Sequence, residues 1–290
     1  MSLWQYYLRP KTITEAMRAF VTAPKPVVPI AGGTDLLLDL EQGRHPMVQT
    51  LVDVTGIKEL LAIEKRAGEL FVGAGIPVTR ITRDPLVNRY AQALVEACAL
   101  IGGPQVRNVA TLGGNIAHAL PAADGTIAFL ALDAIVEIAG INGNRKLPFG
   151  ELFLGPGKSV LKHGEELIVG FYLKIVNTNC ASCFKRIMRP QGVALPIINL
   201  AVWLHRDKNI IKNIRIAVGP GASTPWRASE AEKVLIGESM DEINTDASLS
   251  ALLDNVRFRS SPRRASSDYR RHLVESLYKE TFKTAWERAA

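Results

Sequence analysis

The pattern of apolar and polar positions in the first 57 residues predicts a small α/β unit. Residues 27–31 are short and β-branched, which is typical of a buried strand, and residues 50–54 repeat that character. Residues 36–40 between them favour a helix. An earlier helix, running towards Phe20, has Thr12 or Thr14 as its N-cap. Strands separated by helices predict parallel pairing.

The pattern between residues 58 and 176 predicts a second unit of the α+β class. Strands are expected at residues 69–74, 134–139 and 166–175, and helices at residues 57–60, 79–84, 90–100 and 124–132. Asn142-Gly143-Asn144 predicts a hairpin turn. This unit and the first are interpreted as the two subdomains, about 1–57 and 58–176, of one domain spanning residues 1–176.

A polar stretch at residues 176–179 is the predicted boundary to a second domain, residues 177–290. Residues 184–188, 197–204 and 210–218 have the character of strands and predict a three-stranded antiparallel sheet. Amphipathic helices are expected at residues 229–235, 243–256 and 267–289. The fold class predicted for the whole chain is therefore α+β.

Composition narrows the class of protein. The 290 residues are 47% hydrophobic and 22% charged, as in a soluble globular protein, and no apolar run is long enough to span a membrane. Arg9 and Pro10 stand where a signal peptide needs apolar residues, so a cytoplasmic location is predicted. The net charge of +7 is spread along the chain and is dense only at residues 257–271. Nucleic acid is therefore disfavoured, and an acidic partner or an anionic cofactor is expected.

Two glycine pairs carry the strongest chemical signal. The first lies in Pro29-Ile30-Ala31-Gly32-Gly33-Thr34-Asp35-Leu36 and the second in Thr111-Leu112-Gly113-Gly114-Asn115. In the first, Thr34 or Asp35 is expected to cap the helix that follows. A glycine loop that leads into a helix presents N–H donors to an anion, so phosphate is the predicted ligand and a Cβ on any of the four glycines is expected to intrude on it.

Other motifs are weaker. Cys180 and Cys183 form a C-x-x-C at the predicted linker, but no second pair or histidine cluster accompanies them. Three cysteines in total cannot supply the four ligands of an iron–sulfur cluster. Gly155-Pro156-Gly157-Lys158-Ser159 lacks the first glycine of a phosphate-binding P-loop. Scattered histidines and the absence of a nucleophile elbow disfavour hydrolases.

Segments in both halves of the chain resemble one known family. They are Ala31-Gly32-Gly33-Thr34-Asp35-Leu36, Gln105-Val106-Arg107-Asn108, Thr111-Leu112-Gly113-Gly114-Asn115-Ile116, Asp124, Phe184-Lys185-Arg186-Ile187-Met188-Arg189-Pro190 and Arg264-Ala265-Ser266-Ser267-Asp268-Tyr269-Arg270-Arg271. Together they resemble the FAD-binding subunit of molybdenum hydroxylases, which include xanthine, nicotinate, quinoline and aerobic carbon monoxide dehydrogenases. The resemblance covers nearly the whole chain.

The resemblance implies a vanillyl-alcohol-oxidase (PCMH)-type domain, in which two α+β subdomains hold FAD, followed by a C-terminal domain of the CO dehydrogenase flavoprotein type. Consistent with this, the Gly-x-Gly-x-x-Gly of a Rossmann unit is missing. The cofactor-binding residues that it implies are Pro29, Ile30, Ala31, Gly32, Gly33, Thr34, Asp35, Leu36, Ile101, Thr111, Gly113, Gly114, Asn115, Asp124, Leu167 and Lys185. Of these, Ile101, Leu167 and Lys185 are implied to lie near the flavin ring. The alternative for Ile101 and Leu167 is core packing, and the alternative for Lys185 is a solvated position on a strand.

The function that the resemblance implies is electron transfer. Electrons from two-iron two-sulfur clusters on a small partner subunit would enter FAD here and leave to NAD or another acceptor. Molybdopterin and the organic substrate would lie on a large partner subunit. Two alternatives stay open: a self-contained FAD-dependent oxidase or dehydrogenase of the same fold, and a cofactor-binding module whose C-terminal domain docks partners through the basic stretch 257–271.

Overall fold

The computed structural model of the chain describes residues 3–176, 179–189, 195–241, 245–262 and 264–290. Four predicted features lie partly outside these ranges: the domain boundary at residues 177–178, Pro190 in the motif that begins at Phe184, the start of the helix predicted from residue 243, and residue 263 of the basic stretch 257–271.

A three-stranded parallel sheet organises the first subdomain. Its elements in chain order are β1 (Tyr6–Leu8), α1 (Ile13–Thr22), β2 (Val27–Ile30), α2 (Leu36–Glu41) and β3 (Thr50–Asp53). β3 lies between β1 and β2, and both pairings are parallel, as predicted. The N-cap of α1 is Thr12, whose hydroxyl accepts a hydrogen bond from the N–H of Glu15 at 3.1 Å.

An antiparallel sheet of five strands, with helices packed on it, forms the second subdomain. Its elements are β4 (Ile63–Arg66), β5 (Glu69–Gly73), α3 (Val78–Ile81), α4 (Pro85–Tyr90), α5 (Gln92–Ala99), α6 (Pro104–Val109), α7 (Leu112–Ala117), α8 (Asp124–Ala131), β6 (Ile135–Gly140), β7 (Gly143–Pro148), β8 (Phe153–Gly155), β9 (Lys158–Ser159) and β10 (Glu166–Lys174). The strand order is β4-β5-β10-β6-β7, and short 3-10 helices occupy Lys58–Leu61 and Phe149–Leu152. β4 was not predicted, because this edge strand has one apolar residue followed by three charged ones.

The C-terminal domain contains a sheet covered by helices. Its elements are β11 (Cys180–Met188), β12 (Pro196–Asp207), β13 (Ile210–Gly219), β14 (Trp226–Arg227), α9 (Ser229–Leu235), α10 (Thr245–Asn255) and α11 (Ser267–Arg288). The three predicted antiparallel strands are present, and β14 adds a fourth to the same sheet. A strand of two residues is too short to leave a period in the sequence.

The C-terminal sheet is buried on both faces. Leu200, Val202 and Leu204 pack with the helices of their own domain, while Ala201 and Trp203 join the core of the second subdomain. This arrangement follows from the two-residue period of a strand, which sends alternate side chains to opposite faces. The two domains therefore share an extensive apolar boundary.

Polar contacts from α5 also fix the domains together. The Glu96 carboxylate accepts a hydrogen bond from the N–H of Phe184 at 2.7 Å and pairs with Arg288 at 2.6 Å. At the start of α5, the N–H of Ala93 donates to the Ser182 hydroxyl at 3.0 Å. Glu96 thus joins one helix of the first domain to both a strand and a helix of the second.

Cys180 and Cys183 belong to β11 and not to a linker. Positions three apart on a strand face opposite sides, and the two thiols accordingly pack with different cores. Burial raises the pKa of both thiols, to about 12 for Cys183. These features do not suit a reactive dithiol.

Candidate functional site

The first glycine segment forms an open turn between β2 and α2. Gly33 has a φ of +68°, a conformation that glycine adopts without strain. None of the backbone N–H groups of residues 32–35 donates a hydrogen bond to another described residue. Asp35 is the N-cap of α2, but its side chain makes no capping hydrogen bond, contrary to the prediction that Thr34 or Asp35 caps this helix. The turn therefore keeps several free N–H donors next to a helix start.

The first glycine segment packs against the residues directly before the second. A Cβ placed on Gly32 would stand 2.2 Å from the carbonyl oxygen of Val109 and 2.7 Å from the Cα of Ala110. Val109 ends α6, and Ala110 directly precedes the second glycine segment. Gly32 is thus required by close backbone packing. The predicted contact of this glycine with a phosphate stays a prediction.

The second glycine segment contains the first turn of α7, and the N–H groups of residues 112–115 are already used. They donate within the protein as follows: Leu112 to Ile76 O at 3.2 Å, Gly113 to Ala74 O at 2.7 Å, Gly114 to Thr111 Oγ1 at 3.1 Å, and Asn115 to Thr111 O at 3.0 Å. A Cβ on Gly113 would stand 2.6 Å from that of Ala74. The expected backbone cradle for a second phosphate is therefore not available at these four donors.

The part of α7 that is left for a ligand is the exposed Gly114 and the side chain of Asn115. The Asn115 Oδ1 atom is buried and has no hydrogen-bond partner among the described residues. It lies beside the first turn of α8, since a Cβ on Gly125 would stand 3.0 Å from it. The second segment consequently offers a side-chain acceptor where backbone donors were expected.

Asp124 begins α8 and is only 4% exposed. One carboxylate oxygen pairs with Arg186 of β11, and the other accepts a hydrogen bond from Asn199 Nδ2 of β12 at 2.8 Å. Burial raises the pKa of Asp124, and Arg186 and Asn199 oppose that rise. Its contact with the cofactor stays a prediction.

Two side chains at this carboxylate were missed as site residues. Arg186 stands inside a motif quoted for the resemblance, but with no role attached. Asn199 is the one amide in the apolar run of residues 197–204, and that break in the pattern was the available signal. Both belong to the C-terminal domain.

Ile101 lies in the turn between α5 and α6, and this turn is held by Arg107. The guanidinium of Arg107 donates to the carbonyl oxygens of Ile101 at 3.1 Å and Gly102 at 2.6 Å. Gly102 has a φ of +53°. Ile101 itself is partly buried and packs on the core of the second subdomain. Its place beside a flavin ring stays a prediction.

Leu167 and Lys185 lie in different surroundings. Leu167 of β10 is 9% exposed and packs with apolar residues of the first subdomain, including Phe20 and Val54. Lys185 of β11 pairs with Glu280 of α11. The pair lines a cavity of about 290 Å³ that also reaches Leu100. Contact of either residue with the flavin stays a prediction.

The geometry fits a ligand with a charged phosphate portion. The free N–H donors at residues 32–35 can bind a phosphate, and Gly32 packs against residues 109 and 110, directly before the second glycine segment. The unpartnered Asn115 Oδ1 is an acceptor, which suits a hydroxyl group of a ligand and not its phosphate. Hydrogen bonds to charged groups are worth about 1.5–3 kcal/mol each, so a few such donors hold a pyrophosphate firmly. The residues present are compatible with FAD.

Comparison with known families agrees with the fold. Residues 2–173 match the profile described as the FAD binding domain in molybdopterin dehydrogenase, and residues 182–285 match the CO dehydrogenase flavoprotein C-terminal domain. The chain belongs to the family of FAD-binding subunits of molybdenum hydroxylases.

Individual relatives span nearly the whole chain. The xanthine dehydrogenase FAD-binding subunit of Escherichia coli O157:H7 is 31% identical over 96% of this chain and 95% of its own. The nicotinate dehydrogenase FAD-subunit of Eubacterium barkeri is 28% identical over 95% and 94%. Among solved structures, carbon monoxide dehydrogenase from Hydrogenophaga pseudoflava superposes with a TM-score of 0.90, at 26% identity over 99% of this chain and 98% of that one.

Membrane-spanning helices and metal-binding clusters are both absent from the described ranges. No helix there has both the length and the apolarity needed to cross a membrane. The same residues contain no group of three or more His, Cys, Asp and Glu side chains placed to hold a metal ion. The predicted cytoplasmic location stays a prediction.

Proposed function

We propose that this chain is the electron-transfer flavin subunit of a multi-subunit molybdenum hydroxylase. Electrons would come from iron–sulfur clusters on a small partner subunit and leave to NAD or another acceptor. The organic substrate would be oxidised on a large partner subunit that holds molybdopterin. The three cysteines of this chain support placing the clusters elsewhere, since a cluster needs four ligands.

The observation that carries the proposal is the set of free N–H groups at residues 32–35. These donors lie at the start of α2, where the helix dipole also favours an anion. They are the groups of this chain that would bind the pyrophosphate of FAD. Their position is fixed by the contact of Gly32 with the turn at Val109 and Ala110.

The remaining site residues orient and shield the cofactor. Asn115 supplies an acceptor, Asp124 supplies a buried carboxylate, and Arg107 keeps the shape of the turn at Ile101. When bound, FAD supplies both one-electron and two-electron chemistry, which suits a link between iron–sulfur clusters and a hydride acceptor. No acid or base in this chain is required for that role.

Part of the basic stretch 257–271 has internal contacts, which weighs against the alternative of a purely docking C-terminal domain. Arg270 is 2% exposed and donates to the carbonyl oxygen of Ile197. Arg257 and Arg271 donate to the carbonyl oxygens of Asp254 and Leu253 at 2.9 and 2.8 Å. Residue 263 lies outside the described ranges.

The proposal is tested by purifying the tagged chain alone and from its native host. The isolated chain should bind FAD at a ratio of about one, shown by flavin absorption and by chromatography of the released cofactor. The native preparation should contain two further chains, one of them with iron–sulfur absorption. Full hydroxylase activity of the isolated chain would instead establish the self-contained enzyme.

Reduction by anaerobic NADH tests the acceptor separately. Bleaching of the flavin in the native complex supports NAD as the acceptor, because hydride transfer between the flavin and NAD is reversible. A complex that is bleached by its organic substrate but not by NADH has another acceptor. If the chain binds no FAD, either when it is purified alone or in the native preparation, its assignment as a flavin subunit is refuted.

A further inference from the structure

The N-terminal end of α8 receives two polar side chains from the other domain. Asp124 begins this helix, and its carboxylate is engaged by Arg186 on one oxygen and by Asn199 on the other. Asn199 Nδ2 also donates to the carbonyl oxygen of Ala122 at 3.0 Å. We propose that Arg186 and Asn199 are positioning residues that keep Asp124 ionised and in place, so that the C-terminal domain controls FAD binding by the first domain. This inference rests on the proposed function.

Unsatisfied polar atoms around this carboxylate point to a ligand. Asn115 Oδ1, Arg186 Nε and Asn199 Oδ1 are buried and have no hydrogen-bond partner among the described residues. Asn115 belongs to the second glycine segment and lies beside Gly125, the residue after Asp124. Buried polar groups are normally paired, so such atoms mark a place where a ligand or ordered water completes the network. The hydrogen bonds at Asp124 join α8 to β11 and β12.

Charge compensation at Asp124 comes from one cation. Arg186 is 7% exposed at its side chain and Asp124 is 4% exposed, so solvent screens their attraction little. The thiol of Cys98 on α5 also faces Asp124 and stays neutral, because burial and the carboxylate both raise its pKa. On β13 and β14, Arg215 and Arg227 pair instead with Asp133, just beyond the C-terminal end of α8.

Loss of Arg186 therefore has a specific electrostatic consequence. A buried carboxylate without its cation is costly and relieves that cost by taking up a proton. Burial already raises the pKa of Asp124, and the opposing effect of Arg186 would be gone. Because protonation then depends on pH, any role of the Asp124 carboxylate in holding FAD becomes pH-dependent as well.

The test compares FAD dissociation constants of the full-length wild type and R186Q across about pH 6 to 9, measured by quenching of flavin fluorescence. The wild type should show a flat profile. R186Q should bind about tenfold more weakly at the acidic end, the order expected for one charge-assisted hydrogen bond, and should recover as Asp124 ionises at higher pH. R186K should stay near the wild type, and the double variant D124N/R186Q should show no pH dependence.

The matched control is R288Q, which breaks the ion pair to Glu96 across the same domain boundary without touching Asp124. It should lower the melting temperature and leave the FAD dissociation constant independent of pH and equal to that of the wild type. If R186Q behaves as R288Q does, or weakens FAD equally at every pH, Arg186 is only structural and the inference is refuted.

A second variant covers the case in which R186Q does not fold. N199S removes the 2.8 Å hydrogen bond to Asp124 and retains Arg186. It should weaken FAD several-fold, with a smaller pH dependence of the same sign, and an unchanged profile refutes the inference. A wild-type chain that binds no FAD refutes the proposed function itself, whereas FAD binding by the wild type with flat variant profiles refutes this inference alone.

Discussion

Replacing Gly32 with alanine should push the two glycine segments apart. The new Cβ would stand 2.2 Å from Val109 O, 2.7 Å from Ala110 Cα and 2.8 Å from Val109 C. Non-bonded heavy atoms normally approach to about 3.5 Å, so a displacement of about 1 Å is required. All three neighbours are backbone atoms, and no rotamer change relieves the clash.

The size of the effect follows from overpacking. Forcing an additional carbon into a closely packed place costs about 1–3 kcal/mol, and we expect the free energy of unfolding of Gly32→Ala to fall by that amount. FAD binding should weaken too, because the free N–H donors of residues 32–35 move relative to Asn115. Urea unfolding of the cofactor-free chain measures the first effect, and flavin fluorescence titration measures the second.

Gly114→Ala is the matched control. Gly114 is exposed, its added Cβ would meet only Thr111 Oγ1 at 3.1 Å, and it lies in the first turn of α7. Alanine is favoured over glycine within a helix by about 1 kcal/mol, so stability should be kept or slightly raised. If the free energies of unfolding of Gly32→Ala and Gly114→Ala are equal, the close contact of Gly32 with Val109 and Ala110 is refuted. If only FAD binding suffers in both, phosphate contact and not backbone packing explains the glycines.

Three further predictions concern backbone strain, pH and thiol chemistry. Gly33→Ala should lower the free energy of unfolding by about 1 kcal/mol, because its φ of +68° disfavours a Cβ; an unchanged urea midpoint would contradict this. Burial raises the pKa of Asp53, but hydrogen bonds from neighbouring hydroxyl and N–H groups lower it overall. Asp53 therefore adds stability above the usual carboxyl pKa that is lost as pH falls through its lowered value, and Asp53→Asn should flatten the acid limb of a melting-temperature profile. Alkylation of the folded chain should be fastest at the half-buried Cys180, since burial raises the pKa of Cys98 and Cys183 strongly; equal labelling of all three thiols would refute that order.

Much of the architecture could be predicted because its elements leave local patterns. The buried strands β2 and β3 are short β-branched runs, and α9 and α11 follow an amphipathic period that ends within one residue of the prediction. The alternation along β12 predicts a strand, but it does not say that the second face packs on another domain. Only the tertiary structure shows that Ala201 and Trp203 on this face pack into the core of the second subdomain.

The candidate site was predictable in part. The pattern of glycines pointed to two segments, and the first of them does present free donors. The donors of the second are used by Ala74, Ile76 and Thr111, partners that lie up to 39 residues away in the chain and that no local pattern announces. The contacts of Arg186 and Asn199 with Asp124 were not predictable for the same reason, because these residues lie 62 and 75 positions from Asp124 in the chain.

The sequence by itself determined the family, the α+β class and the two glycine segments that are predicted to bind the cofactor, since glycine pairs and apolar periods are properties of short stretches of chain. Only the tertiary structure decided why Gly32 and Gly113 are needed and which charge accompanies Asp124. Those answers depend on backbone approaching backbone at Gly32 and on a cation of the second domain meeting a carboxylate of the first. Such contacts are set by the packing of whole elements, and packing joins residues that the sequence keeps far apart.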